Sequence, residues 1–345
     1  MRRCLFLAQK GEGRVSPNPL VGAVAVRRGK IIGEGGHREF GGPHAEANAL
    51  RGIDARGATL YVSLEPCSHS FPGKKTPPCV PLIIKSGITR VVIAAKDPHK
   101  NVGGVGNLLK AGIKAEVGLF ADEAERQNEA FFKFMGTGKV FAIAKMAQTS
   151  NGKIGIVGKG KVQISSGKFD ILAQHLRNRY DSILVGISTV LEDDPRLTCR
   201  IPGGRNPARI ILDSHLRIPL RAKVLRNAKR EKVIIATSQL MDESRAEALS
   251  NLGATVVVCG KKKAHLRALF KNLPQLGIFS VLIEGGAKAV GSALSEKILD
   301  KAVVAVSPKK ITDKGAVSSP FTKEMLARLE KRKIGTDTVY EGRLS

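Results

Sequence analysis

Short apolar runs, separated by glycines and charged residues, recur along the chain at the spacing of an α/β protein. Residues 20–35, LVGAVAVRRGKIIGEG, hold two such runs around the turn Arg27–Lys30, which predicts a β-hairpin. Residues 43–51 open on Pro43, a residue favoured in a first helical turn, and predict a helix. A buried strand follows at 58–66, a helix closed by Gly87 at 79–87, and a strand at 90–98. A helix at 105–113, a strand at 114–120 and a helix over 122–139 with acidic residues at its start complete the first half. This alternation predicts a mostly parallel or mixed sheet covered by helices. The pattern then restarts. Residues 140–152 predict a strand and turn, 169–180 an amphipathic helix, and 181–195 a buried strand leading into an acidic turn. Short apolar strands are expected at 208–214, 232–238, 254–260, 280–286 and 301–308, with helices at 243–252 and 263–273. The glycine-containing segment 136–139 is the expected boundary, giving domains 1–139 and 140–345.

Composition supports two packed cores. The chain has 345 residues, 42% of them hydrophobic, which is long for one domain. Trp is absent and aromatics are 4%, so the cores must rely on aliphatic side chains. The formal charge is +27, and the excess of Lys and Arg is spread along both halves. Such a field favours anionic partners: phosphorylated metabolites, dinucleotides or nucleic acid. No arginine-rich arm interleaved with aromatics is present, which argues against nucleic acid. The basic run 259–267, CGKKKAHLR, predicts a solvated loop and helix start. Five Cys in a chain of this length do not make a disulfide framework. The apolar run in MRRCLFLAQK is too short for a signal peptide, and no stretch approaches the roughly 18 apolar residues of a membrane span. The expectation is a cytoplasmic protein without a membrane partner.

One constellation carries chemistry. His44 and Glu46 stand two positions apart at a helix start; Glu-Pro-Cys ends a buried strand at Cys67, and Cys79 follows after a long loop. One imidazole and two thiolates suit tetrahedral zinc and leave a fourth position for water. Zinc lowers the pKa of such a water towards about 7. Glu46 can project beside the metal without ligating it, take a proton from the water and pass it to a leaving amine. This is the logic of zinc nucleobase deaminases, whose signature is His-x-Glu followed by Pro-Cys-x-x-Cys. Here the second Cys arrives later than in that signature. His69 is a rival ligand, ranked below Cys79 because the loop lets the second Cys return to the site without strain.

RVSPNPLVGAVAV, GEGGHREFGGPHAEANAL, LEPCSH, KKTPPC and ADEAERQNEAFF resemble the bifunctional riboflavin-biosynthesis deaminase/reductase family, and the likeness runs to about residue 310. The resemblance implies a cytidine-deaminase-like three-layer domain followed by a dihydrofolate-reductase-like domain. It implies zinc on His44, Cys67 and Cys79, with Glu46 as proton shuttle. It places Asn18 and Lys75 on the pyrimidine substrate, although the loop carrying Lys75 is longer than the family's usual one. In the second domain it implies NADPH. Ala147, Gln163, Thr189, Asp193, Ser214 and the turn Gly286, Ala287, Lys288, Ala289, Val290, Gly291 and Ser292 would contact that cofactor. Lys145, Lys161, Arg177, Leu197, Arg200 and Glu284 would hold a phosphorylated substrate, with Glu284 pairing with Lys145. Arg177 and Arg200 offer forked donors suited to phosphate. Two positions depart from the family: Asn151 stands where Asp is usual, and Gln163 where an aromatic ring is usual.

The reading is therefore a two-domain enzyme of riboflavin synthesis. Its first half would hydrolyse an amino group from 2,5-diamino-6-ribosylaminopyrimidinone 5'-phosphate. Its second would use NADPH to reduce the ribosyl group to ribityl. A homo-oligomer is the expected assembly. The alternatives are an active deaminase with a degenerate reductase domain, and a nucleic-acid-editing deaminase fused to a basic RNA-binding module.

Overall fold

The computed structural model describes residues 1–68, 75–99, 103–160 and 162–344; His69 and Lys161 lie outside the described residues. The chain divides into two compact units, Met1–Gly138 and Lys139–Ser345.

In chain order the first unit contains α1 (Arg2–Gln9), β1 (Gly22–Arg27), β2 (Lys30–Gly36), α2 (Ala45–Leu50), β3 (Thr59–Leu64) and α3 (Cys79–Lys85). It continues with β4 (Arg90–Ala95), α4 (Gly104–Lys110), β5 (Lys114–Val117), α5 (Ala121–Gln127) and α6 (Glu129–Thr137). The strand order is β2-β1-β3-β4-β5. β1 runs antiparallel to β2 and β3, while β3, β4 and β5 are parallel. Side chains alternate across each strand, so both faces are covered. Ala23, Leu60, Val62 and Ile93 pack beneath α2, α3 and α4 through Ala49, Ile83 and Leu108. Val24 and Ala94 face the other way, where Cys4, Leu7 and Ala124 from α1 and α5 meet them. The result is a three-layer α/β/α unit.

The helix expected over 122–139 is interrupted. Asn128, with φ −113° and ψ 23°, lies between α5 and α6. Its side chain is drawn away to the backbone of Leu20, which local periodicity does not reveal.

The second unit contains β6 (Phe141–Thr149), β7 (Lys153–Ile156), α7 (Gly167–Arg179), β8 (Ser182–Gly186), α8 (Ile187–Asp193), β9 (Ala208–Leu212), β10 (Val233–Thr237) and α9 (Glu243–Asn251). After these come β11 (Thr255–Val258), α10 (Leu266–Asn272), β12 (Ser280–Glu284), α11 (Ala287–Ser295), β13 (Lys301–Ser307), β14 (Ala316–Ser318), α12 (Lys323–Ala327), β15 (Glu330–Ile334) and β16 (Asp337–Arg343). Nine strands form one sheet in the order β11-β10-β9-β8-β12-β6-β13-β16-β15, and β14 pairs with β7 separately. From β11 to β13 every pairing is parallel; β16 and β15 close the sheet antiparallel. Parallel strands buried on both faces read as continuous apolar runs. In β8, Leu184 packs into one core and Ile183 with Val185 into the other.

Residues 187–193 are helical, although the sequence reads there as a strand passing into an acidic turn. Ile187 and Val190, three apart, bury one side of that helix. Because the parallel strands share one direction, their C-terminal ends lie along one edge, where ligands of open α/β sheets bind.

Glycine placement tests the packing around the loop after β3. A Cβ on Gly104, at the start of α4, would collide with the carbonyl of Pro66, while one on Gly106 would meet nothing. Gly104→Ala should therefore cost about 1–3 kcal/mol. Gly106→Ala should be neutral or stabilising by about 0.5–1 kcal/mol. Equilibrium urea unfolding of the two variants checks this; equal midpoints would refute the close approach.

Candidate functional site

The first unit encloses a cavity of about 590 Å³ with His44, Glu46 and Cys67 in its wall. His44 is the residue before α2, in extended conformation, so its ring leaves the helix axis and Glu46 falls in the first turn. Cys67 follows β3, and Cys79 is the first residue of α3. The free N–H groups of that helix end turn back on Cys67. Cys79 N donates to the Cys67 carbonyl at 2.9 Å, and Val80 N does so at 3.1 Å. Cys79 N also lies 3.4 Å from the Cys67 sulfur.

His44 Nδ1 is 3.2 Å from Cys79 Sγ and 3.5 Å from Cys67 Sγ, and the three ligand atoms lie within 4.8 Å of one another. Bonds of about 2.0–2.3 Å around a tetrahedral zinc require separations of this order. With Nδ1 facing the sulfurs, Nε2–H donates to Thr76 Oγ1 at 2.7 Å, which sets the ring's orientation. The hydrogen bond from Cys79 pulls the Cys67 thiol down to about 3, while that same contact and burial push Cys79 up. One proton shared between two sulfurs describes the pair; a divalent cation converts it to two thiolates. The donor set fits zinc. Glu46 is 3% exposed, and burial, then the Cys67 sulfur, raise its carboxyl above the ordinary range.

The cavity is shaped by residues whose roles are positional. His37, 2% exposed, is kept neutral by burial. Its Nδ1–H donates to the Pro43 carbonyl at 3.0 Å, so Nε2 accepts from Asn18 Nδ2 at 3.0 Å. Asn18 is thereby left with its Oδ1 as an acceptor at the cavity wall. Glu65 accepts from Asp97 N at 3.2 Å and Val105 N at 2.9 Å, tying the β4–α4 connection to the Cys67 strand. Asn128 accepts from Leu20 N at 2.7 Å and donates to Leu20 O at 3.0 Å, gripping the chain just after Asn18. Lys75 lies over the Phe40 ring at 4.4 Å on the same cavity.

A second cluster sits at the C-terminal edge of the parallel sheet in the other unit. Glu284 ends β12 opposite Lys145 on β6. Arg177 from α7 forks onto Glu284, Nε to Oε1 and Nη2 to Oε2 at 2.8 Å each, and donates through Nη1 to the Thr198 carbonyl at 3.1 Å. Lys145 Nζ is 3.9 Å from Glu284 Oε2 and 5.1 Å from the Phe169 ring. Burial would raise the Glu284 carboxyl, but Lys145 and Arg177 outweigh it and hold the group below its ordinary range. Gly285 and Gly286 have φ of 77° and 64° and lead into α11, with Thr189 of α8 against them.

Residues 1–95 match the family model of the cytidine and deoxycytidylate deaminase zinc-binding region, and residues 140–340 match that of the RibD C-terminal domain. The chain is 41% identical to the riboflavin biosynthesis protein RibD of Aquifex aeolicus (strain VF5) over 314 residues, 90% of this chain and 86% of that protein. It is 35% identical to Escherichia coli (strain K12) RibD, covering 90% of this chain and 87% of that one. The chain belongs to the RibD family. A crystal structure of the diaminohydroxyphosphoribosylaminopyrimidine deaminase/5-amino-6-(5-phosphoribosylamino)uracil reductase of Thermotoga maritima, 34% identical, matches with a TM-score of 0.86 over 99% of this chain and 97% of its own. This RibD-family chain is thus a bifunctional deaminase and reductase of riboflavin biosynthesis, with zinc and NADPH as cofactors.

The residues singled out in the sequence fall into three groups. His44, Glu46, Cys67, Asn18 and Lys75 share the zinc cavity, with Cys79 at its metal corner. Lys145, Arg177 and Glu284 are in contact, with Arg177 rather than Lys145 as the close partner of Glu284. Arg200 is exposed, its backbone N held by Gln174 Oε1, and Leu197 is buried with φ 54°. Ala147 lies on β6, Asp193 ends α8, and the run Gly286–Ser292 enters α11. Ser214 lies beyond β9, two strands from β12. Gln163 folds back, its Nε2 donating to Ser165 O and Asp170 Oδ2 at 2.8 and 3.0 Å. Asn151 accepts from Thr149 Oγ1 and donates to Ile311 O, a donation that Asp could not make. Sequence reasoning missed His37, Glu65, Thr76 and Asn128. Each stands inside or beside a quoted motif, but their partners are remote in sequence.

Asn128→Ala should remove both bonds to Leu20 and raise the KM for ammonia release about tenfold, with zinc content unchanged. Asn128→Asp, which keeps only the acceptor, should fall between. Steady-state kinetics alongside elemental analysis check this; loss of zinc with KM unchanged would contradict the positioning role.

Proposed function

We propose that this chain deaminates diaminohydroxyphosphoribosylaminopyrimidine and then reduces 5-amino-6-(5-phosphoribosylamino)uracil, within the cytoplasm, where Cys67 and Cys79 stay reduced. The observation that carries the reading is the buried Glu46 carboxyl beside the converging His44, Cys67 and Cys79.

Zinc held by His44, Cys67 and Cys79 would supply Lewis acidity, lowering the pKa of an attacking water towards about 7. The chain's own groups do the rest. Glu46 accepts the proton of the attacking water and returns it to the departing amine, which leaves as ammonia. A carboxyl raised by burial is suited to both halves of that transfer. Asn18, fixed by His37, offers an acceptor to the pyrimidine edge, and Lys75 offers a cation to the phosphate.

In the second unit a bound NADPH would supply the hydride for reducing the ribosyl group, and the chain's own residues would position that sugar. Glu284 stays ionised between Arg177 and Lys145, and Lys145 retains donors for a sugar oxygen. Gly285 and Gly286 let backbone N–H groups approach a pyrophosphate at the start of α11.

Glu46→Gln separates the two halves. The variant should keep its zinc, lose ammonia release by about 10²–10⁴-fold, and still oxidise NADPH when given the deaminated substrate. Product masses with and without NADPH provide the readout; preserved ammonia release would refute the proton-shuttle role.

A further inference from the structure

The basic run that reads as a solvated loop lies beside a predicted cofactor contact. β11, β10, β9, β8, β12 and β6 are mutually parallel, so the residues after each strand line one edge in that order. A dinucleotide with its pyrophosphate at Gly285–Gly286 and its adenosine near Ser214 runs towards β10 and β11, at about 4.8 Å per strand. There the segment after β11 folds back across its neighbour. Gln239 N, after β10, donates to Gly260 O at 2.9 Å, and Ala264 N donates to Ser214 Oγ at 3.0 Å. Lys261, Lys262 and Lys263 lie between those two anchors, all exposed, and none is paired with a carboxylate among the described residues.

The fold-back is built. A Cβ on Gly260 would collide with the Lys263 carbonyl and crowd the His265 ring, so glycine is required for the loop to close so tightly. His265 N returns to Cys259 O at 3.0 Å. Ser214 Oγ, accepting from Ala264, still has its O–H to donate, while Ser214 O takes the hydroxyls of Thr237 and Ser238. The arginines around this end are engaged elsewhere. Arg217 is 3.9 Å from the buried Asp213, Arg245 donates to Leu216 O and Ile218 O, and Arg267 donates to Glu296 O.

We propose that Lys261–Lys263, with the Ser214 hydroxyl, form the subsite for the 2'-phosphate of the dinucleotide and so set the preference for NADPH over NADH. This rests on the placement of the cofactor at the edge containing Ser214 and Gly286. The lysines act as point charges and the serine as the directional donor.

The test is fluorescence titration of the full-length protein with NADPH and with NADH. In K261Q/K262Q/K263Q, NADPH affinity should fall about tenfold or more while NADH affinity stays within about twofold. K323Q/K331Q/K333Q removes the same charge, two of its three positions lying on the opposite edge strand, and should leave both affinities within about twofold. Equal weakening of both nucleotides, no change in either, or an equal loss in the control variant would overturn the assignment. A wild-type protein that binds neither nucleotide at millimolar concentration would sink the underlying cofactor placement as well.

Discussion

Three side chains from three separate stretches converge within 4.8 Å in a partly buried corner, and the first unit is organised around that convergence. An imidazole and two sulfurs this close cannot all be in their metal-binding protonation state without a cation to balance them. The fold prepares the place regardless. α3 begins at Cys79, and its unsatisfied N–H groups close on Cys67, so one helix end both presents a ligand and stabilises the other. Thr76 turns the His44 ring, and Glu65 binds the β4–α4 connection to the strand that delivers Cys67.

The second unit solves a related problem without a metal. Glu284 is buried, and a buried carboxylate is costly unless it is paired and hydrogen-bonded. Arg177 satisfies both oxygens in a fork, and Lys145 adds a second positive charge from the next strand. The arrangement leaves the lysine, midway along β6, as the less tightly committed cation beside the end of β12. A site of this kind retains one charged donor for a substrate while the carboxylate remains ionised.

The two departures from the family pattern have different consequences. Asn151 is stitched to Ile311 by an amide donation, so the turn it occupies is satisfied locally. Gln163 offers an amide tied to Ser165 and Asp170, so the surface at that position is polar rather than aromatic. Along the other end of the same sheet edge, cationic side chains are concentrated on the loop after β11, which folds back onto Ser214. The high positive charge of the chain thus has at least one local focus, although most of it is dispersed.

By itself the sequence determined the alternating α/β pattern, the buried parallel strands and the His, Cys and Cys that converge in the first unit. Apolar runs such as those of β8, β9 and β10 are dictated by burial on both sheet faces, and His-x-Glu with Glu-Pro-Cys carries its chemistry in its residue types. Only the tertiary structure decided the break at Asn128, the helix at 187–193, the fork of Arg177 on Glu284 and the clamps of Glu65, His37 and Asn128. It also decided β15, Glu330–Ile334, for which the sequence predicts no element because an edge strand rich in Lys and Arg has no apolar alternation to show. The reason is common to all of these. Burial leaves a periodic mark on the chain, whereas a hydrogen bond between residues a hundred positions apart leaves none, since either partner looks like an ordinary polar residue until the fold brings the other to it.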